Sequence, residues 1–128
     1  MNATIFAAIG VGAACGAWLR WALGEWLNPL GVALPLGTLA ANLGGGFLIG
    51  VTLAVLQNWP DLPPALKLGI VTGLLGGLTT FSTFSAEAFH LVQRGQWGWM
   101  AAHTLLHVVG SILLTWLGYA LVQAQWKG

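Results

Sequence analysis

The sequence predicts an all-α membrane protein with four transmembrane helices, and three observations carry that prediction. The first is composition: the 128 residues are 57% hydrophobic and 5% charged, where a soluble domain carries roughly 25% charged residues. The second is distribution. The formal charges are Arg20, Glu25, Asp61, Lys67, Glu87, Arg94 and Lys127, and they leave uncharged runs at 1–19, 26–60, 68–86 and 95–126. A membrane helix needs roughly 20 apolar residues, so there is room for about four crossings. The third is a set of turn signals between those runs.

The first span is expected at 3–26 and ends at the turn signal Asn28-Pro29-Leu30-Gly31. The second, 35–56, ends at Asn58-Trp59-Pro60-Asp61-Leu62-Pro63-Pro64, whose prolines cannot continue a helix. The third, 65–92, ends at Gln93-Arg94-Gly95-Gln96, and the fourth covers 97–122. Trp26, Trp59, Trp97, Trp99 and Trp126 sit at span edges, where amphipathic rings anchor at the headgroups. The whole chain, 1–128, reads as a single transmembrane domain. Met1 to Ile9 carry no Lys or Arg, so no basic start of a secretory signal is present. Cys15 is the only cysteine, which excludes an internal disulfide and a thiolate metal cluster. A net charge of +1 offers no nucleic-acid footprint.

Small residues recur four apart at Gly12/Gly16, Gly46/Gly50 and Gly69/Gly73/Gly77, the spacing of faces on which helix backbones approach closely. Orientation is weakly encoded. With four crossings, Lys67 and Lys127 share one side, while Arg94 and the late-span Arg20 share the other. Such a balance gives little direction by the positive-inside rule. Either one residue decides the orientation, or the chain inserts both ways and pairs antiparallel. Four short helices enclose a polar path poorly, which favours a dimer.

The most informative segment is Gly76-Gly77-Leu78-Thr79-Thr80-Phe81-Ser82-Thr83-Phe84-Ser85, hydroxyl-rich yet at membrane depth. Polar side chains there are costly unless they meet a partner or a water-filled cavity. The segment predicts a helix broken at Gly76-Gly77-Leu78, with backbone groups and hydroxyls turned toward something that passes. Phe81 and Phe84 lie three apart, on one helical face, and the positive edge of an aromatic ring can meet a small anion. The alternative is a continuous helix whose hydroxyls bond back to their own carbonyls.

Four other positions carry chemistry. Asn42 is a mid-span amide that acts either as interhelical glue or as a donor lining a path. Arg20 either snorkels to the interface or raises local anion concentration in a vestibule. Glu87 is expected to pair with a basic group or a hydroxyl. His103, His107 and Ser111 are spaced four apart on one face, and the His pair matches metal-ligand spacing. With no nearby Cys or further His completing a site, and Glu87 as the only obvious carboxylate, a polar stripe facing the bundle interior is the preferred reading.

Three segments together, Gly16-Ala17-Trp18-Leu19-Arg20-Trp21, Gly37-Thr38…Asn42…Gly46 and Gly76 to Ser85, resemble the CrcB/Fluc fluoride channels over essentially the whole chain. The resemblance implies an antiparallel, dual-topology homodimer in the bacterial inner membrane that exports cytoplasmic fluoride passively. It implies that Asn42, Phe81, Phe84, Thr80, Ser82, Thr83 and Ser111 form the fluoride pathway and that Arg20 stands near its entrance. It also implies a structural sodium ion (Na+) at the dimer centre, held by backbone carbonyls of Gly76 and Thr79 from both subunits. His103 departs from the pattern, which leads one to expect a non-ionisable residue there. A proton-coupled drug exporter of four helices would need an intramembrane carboxylate. The first span has none before Glu25. An enzyme would need a nucleophile–base pair or metal set, and the sequence suggests neither.

Overall fold

The structure, a computed structural model, describes residues 2–126. Four helical spans, Ala3–Leu30, Leu36–Asn58, Pro64–Gln93 and Trp97–Trp126, are long and apolar enough to cross a membrane. Among the described residues there is no strand. Lys127, used in the topology count, lies outside the described residues.

Local chemistry explains where the spans begin and end. Asn2 caps the first helix, its side chain accepting from the Thr4 N–H at 2.7 Å. Pro35 precedes the second helix and offers no side-chain cap. Asn28 performs that role from the preceding turn, its Oδ1 accepting from the N–H groups of Gly37 at 2.7 Å and Thr38 at 3.3 Å. The third span closes at Gly95, where φ is +70°. There the Gly95 N–H donates to Val92 O and the Gln96 N–H to Leu91 O, a Schellman ending that only glycine adopts without strain.

The third span is one crossing built from unlike pieces. A first turn, Pro64–Leu68, leads into a wide π-helical stretch, Gly69–Leu75, and a last α-turn, Gly76–Leu78. Thr79 and Thr80 are extended (φ/ψ −87°/154° and −151°/119°), and helix resumes at Phe81–Gln93. The break therefore falls at Thr79–Thr80 and not within Gly76-Gly77-Leu78, which remain helical. The reason is that the glycines are used for packing, while the partners that stabilise an opened backbone are met one turn later.

The two halves of the third span pack differently: the first lies on the first helix and the second on the fourth. The repeated glycines are the contact points. A side chain at Gly16 would strike the backbone of Leu74 and Leu78, and one at Gly77 would strike that of Ala13. The second and fourth helices form the other close pair, with Gly46 against Ser111, Gly50 against Thr115 and Gly118 against Phe47. Such spacing replaces the hydrophobic driving force, which is weak between helices in lipid. The apolar core is small: Ala41, Leu75 and Leu78. Most large apolar side chains point outward, as expected where the solvent is lipid. Trp59 and Trp126 meet edge-to-face, centroids 4.9 Å apart, at one end of the bundle.

Candidate functional site

Asn42 and Thr80 meet where the third span is interrupted. The Thr80 N–H donates to Asn42 Oδ1 at 2.8 Å, and Asn42 Nδ2 donates to the Thr80 carbonyl at 3.0 Å. In an uninterrupted helix the Thr80 N–H would bond to the Gly76 carbonyl. The side chain of Asn42 substitutes for that partner and stabilises the break. Thr80 Oγ1 in turn caps the new helix by accepting from the Thr83 N–H at 3.1 Å, and lies 3.2 Å from both Ser82 Oγ and Thr83 Oγ1. The Thr83 N–H is thereby drawn away from the Thr79 carbonyl.

The amide of Asn42 is fully engaged. A backbone N–H can only donate, so the atom facing it is the amide oxygen and the other is the amide nitrogen. The second hydrogen of Nδ2 points at His107 Nδ1, 3.0 Å away. Nδ1 must then accept, which puts the proton of neutral His107 on Nε2.

A cavity of about 580 Å³ opens beside this junction, its polar lining drawn from Asn42, Thr79, Thr80, His107, Ser111 and Thr115. Phe81 and Phe84 also line it, with centroids 5.5 Å apart. No Asp, Glu, Lys or Arg reaches it. Phe84 is buried, whereas Phe81 is 77% exposed on the single chain. Thr115 spends its hydroxyl on the Gly46 carbonyl at 2.8 Å and the Ser111 carbonyl at 2.9 Å.

A second cavity, about 400 Å³, is lined by Arg20, Glu25, Thr38 and Thr83. Arg20 does not simply snorkel: its Nε donates to the Gly77 carbonyl at 3.1 Å, tying the first helix to the third span just before the break. Between the cavities runs a line of polar groups. Thr38 Oγ1 donates to Glu87 Oε2 at 2.7 Å, and Glu87 Oε1 lies 3.4 Å from His103 Nε2. His103 Nε2 faces the Phe84 carbonyl at 3.4 Å, and the His103 and His107 ring centroids are 4.4 Å apart. Phe84 stacks on His103 (5.0 Å, 18°) and tilts against His107 (4.9 Å).

The fold thus brings Asn42, Thr79, Thr80, Phe81, Phe84, Ser111 and Gly76 to the first cavity and Arg20 and Thr83 to the second. Ser82 is exposed on the chain and touches this set only through Thr80. Sequence reasoning passed over Thr38 and Thr115. Thr38 stands four residues before Asn42 on the same helical face, the signal that could have found it. The sequence made a polar stripe the preferred reading of His103 and His107 and left Glu87 as the only obvious carboxylate; the fold brings Glu87 to them, one ligand atom from each of the three lying within 4.8 Å of one another.

The family model for CrcB-like protein, Camphor Resistance (CrcB), matches residues 7–119. A protein of Aromatoleum aromaticum named fluoride-specific ion channel FluC is 60% identical, the match covering 99% of this chain and 96% of the relative. Relatives of the same name from Thiobacillus denitrificans (54% identical, 91% and 94% covered) and Bordetella avium (55% identical, 90% of both covered) are also similar. With an interrupted third span braced by Asn42 and this degree of likeness over nearly its full length, the chain belongs to the CrcB family.

Proposed function

We propose that this chain is a fluoride-selective channel of the bacterial inner membrane, passing fluoride passively out of the cell down its gradient. The observation that carries the reading is the helix break held open by Asn42 next to the Phe81 and Phe84 rings, in a protein whose relatives bear the name of fluoride-specific channels. Fluoride is small and strongly hydrated. A pore that selects it has to replace water with many modest donors, yet release the ion. Hydroxyls of Thr80, Thr83 and Ser111, ring edges of Phe81 and Phe84, and the positive start of the Phe81–Gln93 helix are donors of that kind. None carries a full charge that would trap the ion. Arg20 at the second cavity raises the local anion concentration. Asn42 acts here chiefly as the brace of the break, since both its N–H groups are already directed at protein acceptors.

The channel works as an antiparallel homodimer of dual topology. In support, Phe81 and Gly76 are exposed on the single chain although they line the cavity with buried Phe84, so one wall is left open for a second copy. The balanced basic residues fit insertion in both orientations. A sodium ion at the dimer centre suits the same residues. The Gly76 and Thr79 carbonyls have both lost their helical N–H partners, Thr80 N–H to Asn42 and Thr83 N–H to Thr80 Oγ1. Freed carbonyls at a broken membrane helix are cation ligands. The ion would supply a fixed positive charge that holds the two breaks together.

The test is fluoride efflux from liposomes holding the purified protein, followed by a fluoride electrode with chloride run in parallel. Fast fluoride release without chloride release is expected. No fluoride release from well-folded dimers would overturn the reading and turn attention to proton-coupled export through Glu87.

A further inference from the structure

Glu87 from the third span and His103 and His107 from successive turns of the fourth helix each offer a ligand atom, all within 4.8 Å of one another. His103 is completely buried and His107 is 5% exposed. Each residue also keeps one buried polar atom without a partner: Glu87 Oε1, His103 Nδ1 and His107 Nε2. A single orphaned polar atom in a protein interior is costly, and three on touching side chains ask for a common partner. Their positions are held from outside the cluster, Glu87 by Thr38, His103 by the Phe84 carbonyl and His107 by Asn42. The Thr38 and Phe84 contacts orient their ligands as the outer layer of a metal site does, whereas Asn42 donates to His107 and favours the tautomer that has to change on ligation.

We propose that Glu87, His103 and His107 bind a divalent transition-metal ion, with Zn2+ the best match, and that the bound ion shuts the anion path. Two imidazoles and one carboxylate form a common zinc set that leaves a fourth position open. Imidazole ligands favour Zn2+ over Mg2+ or Ca2+. His103 presents a free lone pair at Nδ1 because its Nε2–H is directed at the Phe84 carbonyl. His107 is different. Its Nε2 carries the proton, since Nδ1 accepts from Asn42. Ligation through Nε2 moves that proton to Nδ1, where it meets the donor Nδ2 of Asn42. The amide has to turn its oxygen toward the ring, and this breaks both bonds to Thr80. Metal binding and the braced helix break therefore exclude one another. The residual positive charge beside the cavity would also hold an anion too firmly to pass. Metal binding stands on the geometry alone; the block of flux rests on the channel reading above.

The probe is Co2+ added to the purified full-length protein in detergent, because cobalt in a near-tetrahedral N/O site absorbs visible light. A saturable band that Zn2+ abolishes is expected. His103→Gln, His107→Gln and Glu87→Gln should each weaken binding about tenfold to a hundredfold, while the exposed His90→Gln leaves it unchanged. Glu87→Gln keeps the shape of the site and guards against a folding failure in the histidine variants. Asn42→Asp should tighten binding by about tenfold or more, because its carboxylate accepts from Nδ1–H and completes a carboxylate–histidine–metal arrangement. No cobalt band in the wild type, or identical titrations in wild type and all cluster variants, overturns the site. Weaker binding in Asn42→Asp overturns the proton shift. In liposomes, micromolar Zn2+ should halt most fluoride efflux and EDTA should restore it. Cobalt binding with flux indifferent to Zn2+ overturns the block. Cobalt binding with no fluoride flux even in EDTA overturns the channel reading and leaves the metal site standing.

Discussion

Asn42 and Thr80, separated by 38 residues in sequence, exchange two hydrogen bonds between a side-chain amide and a single peptide unit: N–H to Oδ1 at 2.8 Å and Nδ2 to carbonyl at 3.0 Å. The amide thus imitates the peptide group that a continuous helix would have supplied. The third span can open at membrane depth without leaving its backbone unsatisfied, which lipid does not tolerate.

Asn42→Ala removes that substitute and strands the part-buried Thr80 N–H and carbonyl, a loss of at most about 1–3 kcal/mol for each group. Lower thermal stability in detergent and loss of most fluoride flux are the expected results. Asn42→Asp should also lose flux, since its second oxygen faces the Thr80 carbonyl. Full flux in either variant would remove Asn42 from the working of the path.

Phe81→Ile tests the rings separately from the fold. Phe81 is 77% exposed on the chain, so its replacement should leave the stability of the helical bundle within about 0.5 kcal/mol. Fluoride flux should nonetheless fall strongly with the dimer intact by size-exclusion chromatography. Wild-type flux would show that ring edges are not needed.

Gly50→Ala places a methyl group into the backbone of Thr115, and Gly16→Ala does the same against Leu74 and Leu78. Overpacking of this kind costs about 1–3 kcal/mol, and both variants should melt earlier in detergent. Gly98, with nothing within 4 Å of an added methyl group, is the control. Gly98→Ala should be neutral or stabilising by at most about 1 kcal/mol through helix propensity.

Thr38→Val deprives the Glu87 carboxylate of the hydrogen bond to its Oε2, 2.7 Å, while Oε1 already lacks a hydrogen-bond partner among the described residues. Destabilisation by about 1–3 kcal/mol is expected, with Thr38→Ser close to wild type because the hydroxyl is kept. Equal melting of Thr38→Val and Thr38→Ser would mean that Glu87 finds another donor.

Replacing sodium by a large organic cation should slow fluoride flux and weaken the dimer, with recovery on returning sodium. Side-chain changes at Thr79 should alter this little, because the proposed ligands are backbone carbonyls. Flux and dimer stability indifferent to the cation would dispose of the sodium site.

Much of this protein is legible in its residues alone. Charge-free runs, prolines and edge tryptophans define four spans, and glycines spaced four apart mark faces of close packing, because these features act through composition and local geometry; that Gly12 and Gly16 meet the face of Gly69, Gly73 and Gly77 is seen only in the fold. The hydroxyl run announced an interrupted helix. What sequence could not supply was the position of the break, which follows the hydrogen-bond partner and not the glycines. Asn42 lies on another span, and no periodicity relates it to Thr80. The meeting of Glu87 with His103 and His107 has the same origin: only after the break redirects the second half of the third span does that carboxylate reach the fourth helix. Tertiary structure alone decided these contacts, since each depends on a long-range hydrogen bond whose two ends carry no mutual signal along the chain.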